Sequence, residues 1–162
     1  MSCSSPSPGV EHDRQAADGN MPASLAALVS WFEQLTPESL AKMPAHYVSD
    51  ARFKDPFNDV QGLAHIRQVF VHMFQNLHDP RFVVTGSVQQ AEQAFLTWEF
   101  RFRFKRFDSV TTQTIRGATH LMFNQDGKVV IHRDYWDAAE ELYEKLPVVG
   151  GLMRWLKRRA NT

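Results

Sequence analysis

Residues 47–70 read YVSDARFKDPFNDVQGLAHIRQVF, and the fold follows from how this segment is divided. Its front part, 51–55, reads as a short strand that stops at Pro56, because proline restricts the residue before it and has no N–H for a ladder. Asn58-Asp59 and Gly62 are turn signals. Beyond them Ile66, Val69, Phe70, Met73, Phe74 and Leu77 recur on one helical face, and the helix should end near His78-Asp79-Pro80. A strand closing on Asp55 therefore passes through a tight turn into an amphipathic helix.

Working outward toward the N-terminus, Leu25, Leu28, Val29, Phe32 and Leu35 keep helical spacing from Ala23 until Thr36-Pro37. A short second helix should restart there, with Thr36 as cap and Pro37 in its first turn. Residues 1–22, rich in Ser, Pro and charge, have too little apolar surface to offset the entropy of ordering and read as a disordered leader.

In the other direction the period changes. Residues 82–88, 94–104, 113–124 and 128–136 are four strand candidates, parted by polar breaks and by Gln125-Asp126-Gly127. Strands that follow helices and are joined by short turns indicate an α+β domain, a meander with helices on one face. A closing helix is expected over 137–146, capped by Asp137. Residues 147–162 form a basic amphipathic tail, in which Leu152, Met153, Trp155 and Leu156 lie beside Arg154, Lys157, Arg158 and Arg159. Such a tail can rest on anionic lipid or dock on the domain.

The 162 residues suit one domain, with 18 Lys plus Arg balancing 18 Asp plus Glu. That balance leaves no global field to draw nucleic acid. One cysteine, Cys3, cannot make an intramolecular disulfide or a cysteine-ligated zinc site, and the seven histidines lack ligand spacing. No metal and no cofactor is expected. No apolar run reaches the roughly 18 residues of a membrane span, and the first residues lack the apolar core of a secretory signal, so a cytoplasmic location is expected.

Three carboxylates stand where strands meet apolar surface: Asp55, Glu99 and Asp134. A carboxylate desolvated in an apolar cavity has its pKa raised toward neutrality, which suits proton transfer. Phe53, Phe57 and Trp136 could supply that surround. Asp55 equally reads as a turn aspartate bonded to the backbone of DPFND. In HRDYWD, alternation puts His132, Asp134 and Trp136 on one face of the strand; Asp134 there is functional, paired with an arginine, or an end-of-strand cap. Residues 94–104 allow two registers. Amphipathicity buries Trp98, Phe100, Phe102 and Phe104, whereas the alternative turns Glu99 and Arg101 into a cavity and gives the aromatics to a subunit interface.

The order of elements, together with YVSDARFKDPFNDVQGLAHIRQVF, the GATHLMFNQDGKVV hairpin and the HRDYWD strand ending, resembles the nuclear transport factor 2 superfamily, in particular its SnoaL-like and ketosteroid-isomerase-like branch. The resemblance covers 23–146. It implies a cone, in which a strongly curved antiparallel sheet wraps around N-terminal helices and leaves an apolar pocket, commonly in a dimer formed through the outer sheet face. Asp55 falls where ketosteroid isomerases place the general base, Trp31 where they have a tyrosine, and Thr119 where they keep a protonated aspartate. The missing groups exclude steroid isomerisation as such. Against limonene epoxide hydrolase, Asp134 falls on one of two catalytic aspartates, but Arg101 replaces the second and Glu99 the bridging arginine. The resemblance thus implies Asp55 and Asp134 as acid/base groups. It implies Trp31, Phe53, Phe57, Glu99, Arg101, Thr119, Leu121, His132 and Trp136 around a small apolar ligand, polyketide-, terpenoid- or lipid-like. A non-catalytic binding or interaction module of the same fold is the alternative.

Overall fold

The computed structural model describes residues 23–106 and 108–138. The leader, the tail and nearly all of the expected closing helix lie outside the described residues. Helix α1 (Ala23–Glu33) is followed by a 3-10 turn over Glu38–Lys42 and the short α2 (Met43–His46). Thr36 and Ser39 cap that restart reciprocally, each backbone N–H donating to the other's hydroxyl at 2.8 and 3.1 Å. Strands β1 (Tyr47–Lys54) and β2 (Asp59–Gln61) come next, then α3 (Leu63–Asn76) and the long strands β3 (Leu77–Gln90), β4 (Gln93–Phe104), β5 (Gln113–Phe123) and β6 (Val129–Tyr135).

The six strands form one sheet in the order β2-β1-β6-β5-β4-β3. Neighbours are antiparallel except β1 and β6, which run parallel, because the chain leaves β1 for α3 and returns to the sheet at its far edge. The expected meander is present as β3 to β6. Strand β2, where the sequence shows only turn signals, pairs with β1 across the Pro56 corner, where Arg52 grips Asp59 with Nε and Nη2, both at 2.9 Å. Strand β3 begins earlier than expected, since a bulge between His78 and Arg81 lifts Asp79 and Pro80 out of the ladder. The edge position tolerates a proline there.

The helices cover one face of the sheet. Leu25, Leu28, Trp31 and Phe32 of α1 pack with Leu40, Met43, Tyr47, Ile66 and Phe70 over the inner side chains Leu96, Trp98, Phe102, Ile115, Leu121 and Val129. Two tethers fix helix to sheet. Glu33 accepts a hydrogen bond from the unpaired edge N–H of Val84 at 3.0 Å. The β5–β6 hairpin comes up against α1 at Gly127, where φ is +73° and an added Cβ would lie 2.0 Å from Ser24 Oγ, so only glycine fits.

Candidate functional site

Between α3 and the inner faces of β3 to β5 the core stops short of filling the cone. The remaining cavity holds about 400 Å³, within the range of small-molecule sites. Val69, Phe70 and Met73 of α3 form one wall, and Phe82, Trp98, Phe100, Phe102, Phe104 and Ile115 form the opposite one. Phe53, Phe57 and Trp136 close one end, with Phe57 and Trp136 edge to face at 5.3 Å. The alternation along β4 thus resolves in favour of amphipathicity. No Lys or Arg lines this cavity among the described residues; its polar groups are Asp55, Asn58, His72, Asn76 and Asp134.

Asp134 is placed by β6, whose register sets it opposite Thr119 of β5. Its side chain is 14 % exposed. Oδ1 accepts from the Thr119 hydroxyl at 2.5 Å and pairs with His132 Nε2 at 2.9 Å. Thr119 Oγ1 in turn accepts from the Trp98 indole N–H at 2.8 Å, and His132 Nδ1 lies 2.7 Å from the Tyr47 hydroxyl. Tyr47 is wholly buried, and both desolvation and the charge of Asp134 push its pKa well above the usual phenol value. Oδ2 receives no donor among the described residues and is not a sealed atom, and Asp134 is one of the residues that line the cavity.

Trp98 can reach Thr119 because its cross-strand neighbour is Gly117. A Cβ at Gly117 would sit 2.5 Å from the indole, so the ring lies flat on bare backbone. Behind the network, Phe32, Leu96 and His132 border a chamber of only about 20 Å³, room for about one water.

Asp55 also lines the cavity, but its carboxylate belongs to its own turn. Oδ1 accepts from the backbone N–H groups of Phe57 and Asn58 at 2.7 and 2.6 Å, and both oxygens accept from Asn58 Nδ2. The turn-aspartate arrangement and the pocket position therefore coexist. Asp55, Asp134 and Trp136 also border an outer groove at the ends of β1 and β6.

Four expected pocket residues are elsewhere. Glu99 and Arg101 point to the outer sheet face, where Glu99 pairs with Arg101 at 2.7 Å and Arg116 at 3.4 Å; the hydrogen bond from Arg101 holds the Glu99 pKa below its ordinary value. The physical reason is that the alternative register would have exposed four large aromatics to keep one ion pair indoors. Trp31 is core, its indole N–H bonded to the Ser39 carbonyl at 3.0 Å, and Leu121 is core with no exposure. Thr119 and His132 stand behind the cavity in the network rather than on its wall. Tyr47 was not singled out, and Trp98 only as one of the aromatic set: Tyr47 meets a partner 85 residues away, which no local pattern announces. Among the described residues no group of three His, Cys, Asp or Glu could hold a metal ion.

A mostly antiparallel sheet wrapped over helices defines the class: the nuclear transport factor 2-like, ketosteroid isomerase-like fold. Within that class the SnoaL-like domain model matches residues 28–132, and the chain belongs to the SnoaL-like family. Several solved structures share the fold. A hypothetical protein with the ketosteroid isomerase-like fold from Catenulispora acidiphila, in complex with trimethylamine, is 14 % identical with a TM-score of 0.63, covering 75 % of this chain and 91 % of its own. A candidate SnoaL-like polyketide cyclase from Jannaschia sp. CCS1 is 12 % identical with a TM-score of 0.62, at 72 % and 87 % coverage. An NTF2-like protein of unknown function from Burkholderia pseudomallei is 15 % identical with a TM-score of 0.62, at 72 % and 90 % coverage. No curated protein matches the chain. No described helix is long and apolar enough to cross a membrane.

Proposed function

We propose that this domain is an acid–base enzyme acting on a small apolar ligand, with Asp134 as the group that takes and returns the proton. The observation that supports it most is a largely buried carboxylate on the wall of an aromatic-lined cavity, held by donors on one oxygen and without a donor on the other among the described residues. A base so placed removes a proton from carbon next to a carbonyl, or transfers one between positions of the same ligand, as isomerase-, cyclase- and lyase-type reactions require. Asp55 holds the rim and is the second carboxylate in reach of a ligand.

Because no lysine or arginine among the described residues lines the cavity, the buried end of the ligand is neutral or cationic: an anion there would meet two carboxylates and no lysine or arginine of the described residues. The aromatic walls suit polyketide-, terpenoid- or lipid-like skeletons and also favour a cation against ring faces. The trimethylamine bound by the Catenulispora relative and the polyketide chemistry assigned to the Jannaschia relative are in keeping with that range. The domain would act in the cytoplasm, where its single thiol stays reduced. It would do so as a homodimer through the outer sheet face, where Phe95, 50 % exposed, stacks on His120, and Tyr135 lies under Arg133. Light scattering giving only a monomer would remove the dimer.

The test is exchange of carbon-bound hydrogen for deuterium in a panel of neutral apolar ketones, followed by NMR. Wild-type protein should catalyse exchange in at least one, carboxylate-bearing analogues should fail, and Asp134→Asn should lose the activity. One feature favours a second reading, a non-catalytic ligand carrier: Asp55 is committed to its turn, which leaves a single open carboxylate. Saturable binding of these ketones with no exchange in any of them would select the carrier.

A further inference from the structure

The hydrogen bonds behind the cavity can be counted to a single arrangement. The Tyr47 hydroxyl is buried and stays protonated, and its one acceptor among the described residues is His132 Nδ1, at 2.7 Å. A buried O–H without an acceptor is strongly disfavoured, so Nδ1 must offer its lone pair. The proton of the neutral imidazole is then on Nε2, which faces Asp134 Oδ1 at 2.9 Å and donates to it. Thr119 reaches the same end state from the other side: its oxygen accepts from Trp98 Nε1, which leaves its hydrogen for Oδ1. Both donors converge on one oxygen.

We propose that Tyr47 locks His132 as the Nε2–H tautomer, and that this makes His132 and Tyr47 positioning residues which fix Asp134 so that Oδ2 alone exchanges protons with a cavity ligand. The inference rests on the acid–base reading of Asp134 but adds residues on which that reading does not depend. The opposite tautomer would set two lone pairs, on Nε2 and on Oδ1, against each other at 2.9 Å and strand the Tyr47 hydrogen against the Nδ1 proton. With Oδ1 saturated, the ligand's C–H bond breaks as an O–H bond forms at Oδ2, the C–H electron pair passing into the carbonyl as an enolate, and return of the proton from Oδ2 to carbon reverses these changes. Aromatic contacts hold the ring in place for this. His132 lies against Phe53 at 4.8 Å and edge-on to Phe32 at 5.5 Å, so a ring flip would have to displace core side chains.

The test is long-range proton–nitrogen NMR of the 13C,15N-labelled full chain near pH 7, with His132 assigned by through-bond correlation to its own backbone. The expected result is a single neutral species protonated on Nε2; a wild-type ring protonated on Nδ1, or on both nitrogens, overturns the proposal and needs no variant to fold. If ketone exchange is measurable, Tyr47→Phe should lower kcat by about 2- to 10-fold with KM held. His132→Gln, which keeps an N–H for Oδ1, should retain more activity than His132→Leu. Equal activity in those two variants would overturn the positioning role. An Nε2–H wild-type ring in a protein that exchanges no ketone would support the lock and remove only the acid–base reading.

Discussion

Replacing Gly117 with alanine should destabilise the domain by about 2 kcal/mol. The new Cβ would lie 2.5 and 2.6 Å from Trp98 Cη2 and Cζ2 and 2.9 Å from the Tyr135 carbonyl oxygen. That oxygen belongs to the neighbouring strand and cannot withdraw, so the indole must swing toward the cavity. Overpacking of this kind costs about 1–3 kcal/mol. The swing also takes Trp98 Nε1 off Thr119 Oγ1, now at 2.8 Å, for a further loss of about 1 kcal/mol. Against this, alanine restricts the unfolded chain and returns about 0.4–1 kcal/mol, since Gly117 is not among the glycines with positive φ. Urea unfolding followed by tryptophan fluorescence, at one protein concentration, measures the difference as a shift in midpoint at unchanged slope. Gly86→Ala is the internal control, because the atom its Cβ would meet, at 3.0 Å, is the hydroxyl of Thr97 on a surface strand pair. A Gly117→Ala midpoint equal to or above wild type would refute the seating of Trp98 and with it the support of Thr119.

Further outcomes follow from the same geometry. Asp55→Ala should cost about 1 kcal/mol by freeing the N–H groups of Phe57 and Asn58, read by the same unfolding assay; no loss would mean that the turn does not depend on the carboxylate. Arg101→Ala, on the outer face, should leave ligand binding and ketone exchange at wild-type values, and a clear loss of either would restore the inward register. Stability should fall on acidification in two stages. Desolvation lowers the His46 pKa, so the unfolded chain takes up a proton first and stability drops below about pH 6.5. Asp59, held by Arg52 and Lys54, and Glu99, held by Arg101, also have lowered pKa values; their contribution is present above the ordinary carboxylate range and is lost below about pH 4. Denaturation midpoints across pH 8 to 3 check the sign. His46→Gln should erase the upper stage, and rising stability between pH 7 and 5 would contradict the assignment.

The helices and the meander were legible because their signals are periodic and local: the apolar face from Ile66 to Phe74 and the alternation from Ala94 to Phe104 repeat over many residues. Asp134 was legible for the same reason, sitting two residues from both His132 and Trp136 on one strand face. Strand β2 was hidden because three residues are too few to show a period. The direction of Glu99 and Arg101 stays open in the sequence: likeness to an enzyme with charges at those places favours the inward register, whereas the simpler rule of burying Trp98 and Phe102 gives the arrangement found. The contributions of Tyr47 and Gly117 were not legible. Each depends on one partner from another strand, and only the assembled sheet brings Tyr47 to His132 or lays Trp98 over a residue without a side chain.

The central claim is that Asp134, not Asp55, is the working carboxylate of the cavity. Deuterium exchange into a bound ketone, compared between Asp134→Asn and Asp55→Asn, tests it most directly, since each asparagine preserves the shape of the aspartate it replaces. The expected result is a fall of about 100-fold or more in kcat for Asp134→Asn and a small change for Asp55→Asn. Full exchange in Asp134→Asn, with the loss in Asp55→Asn instead, would contradict the account.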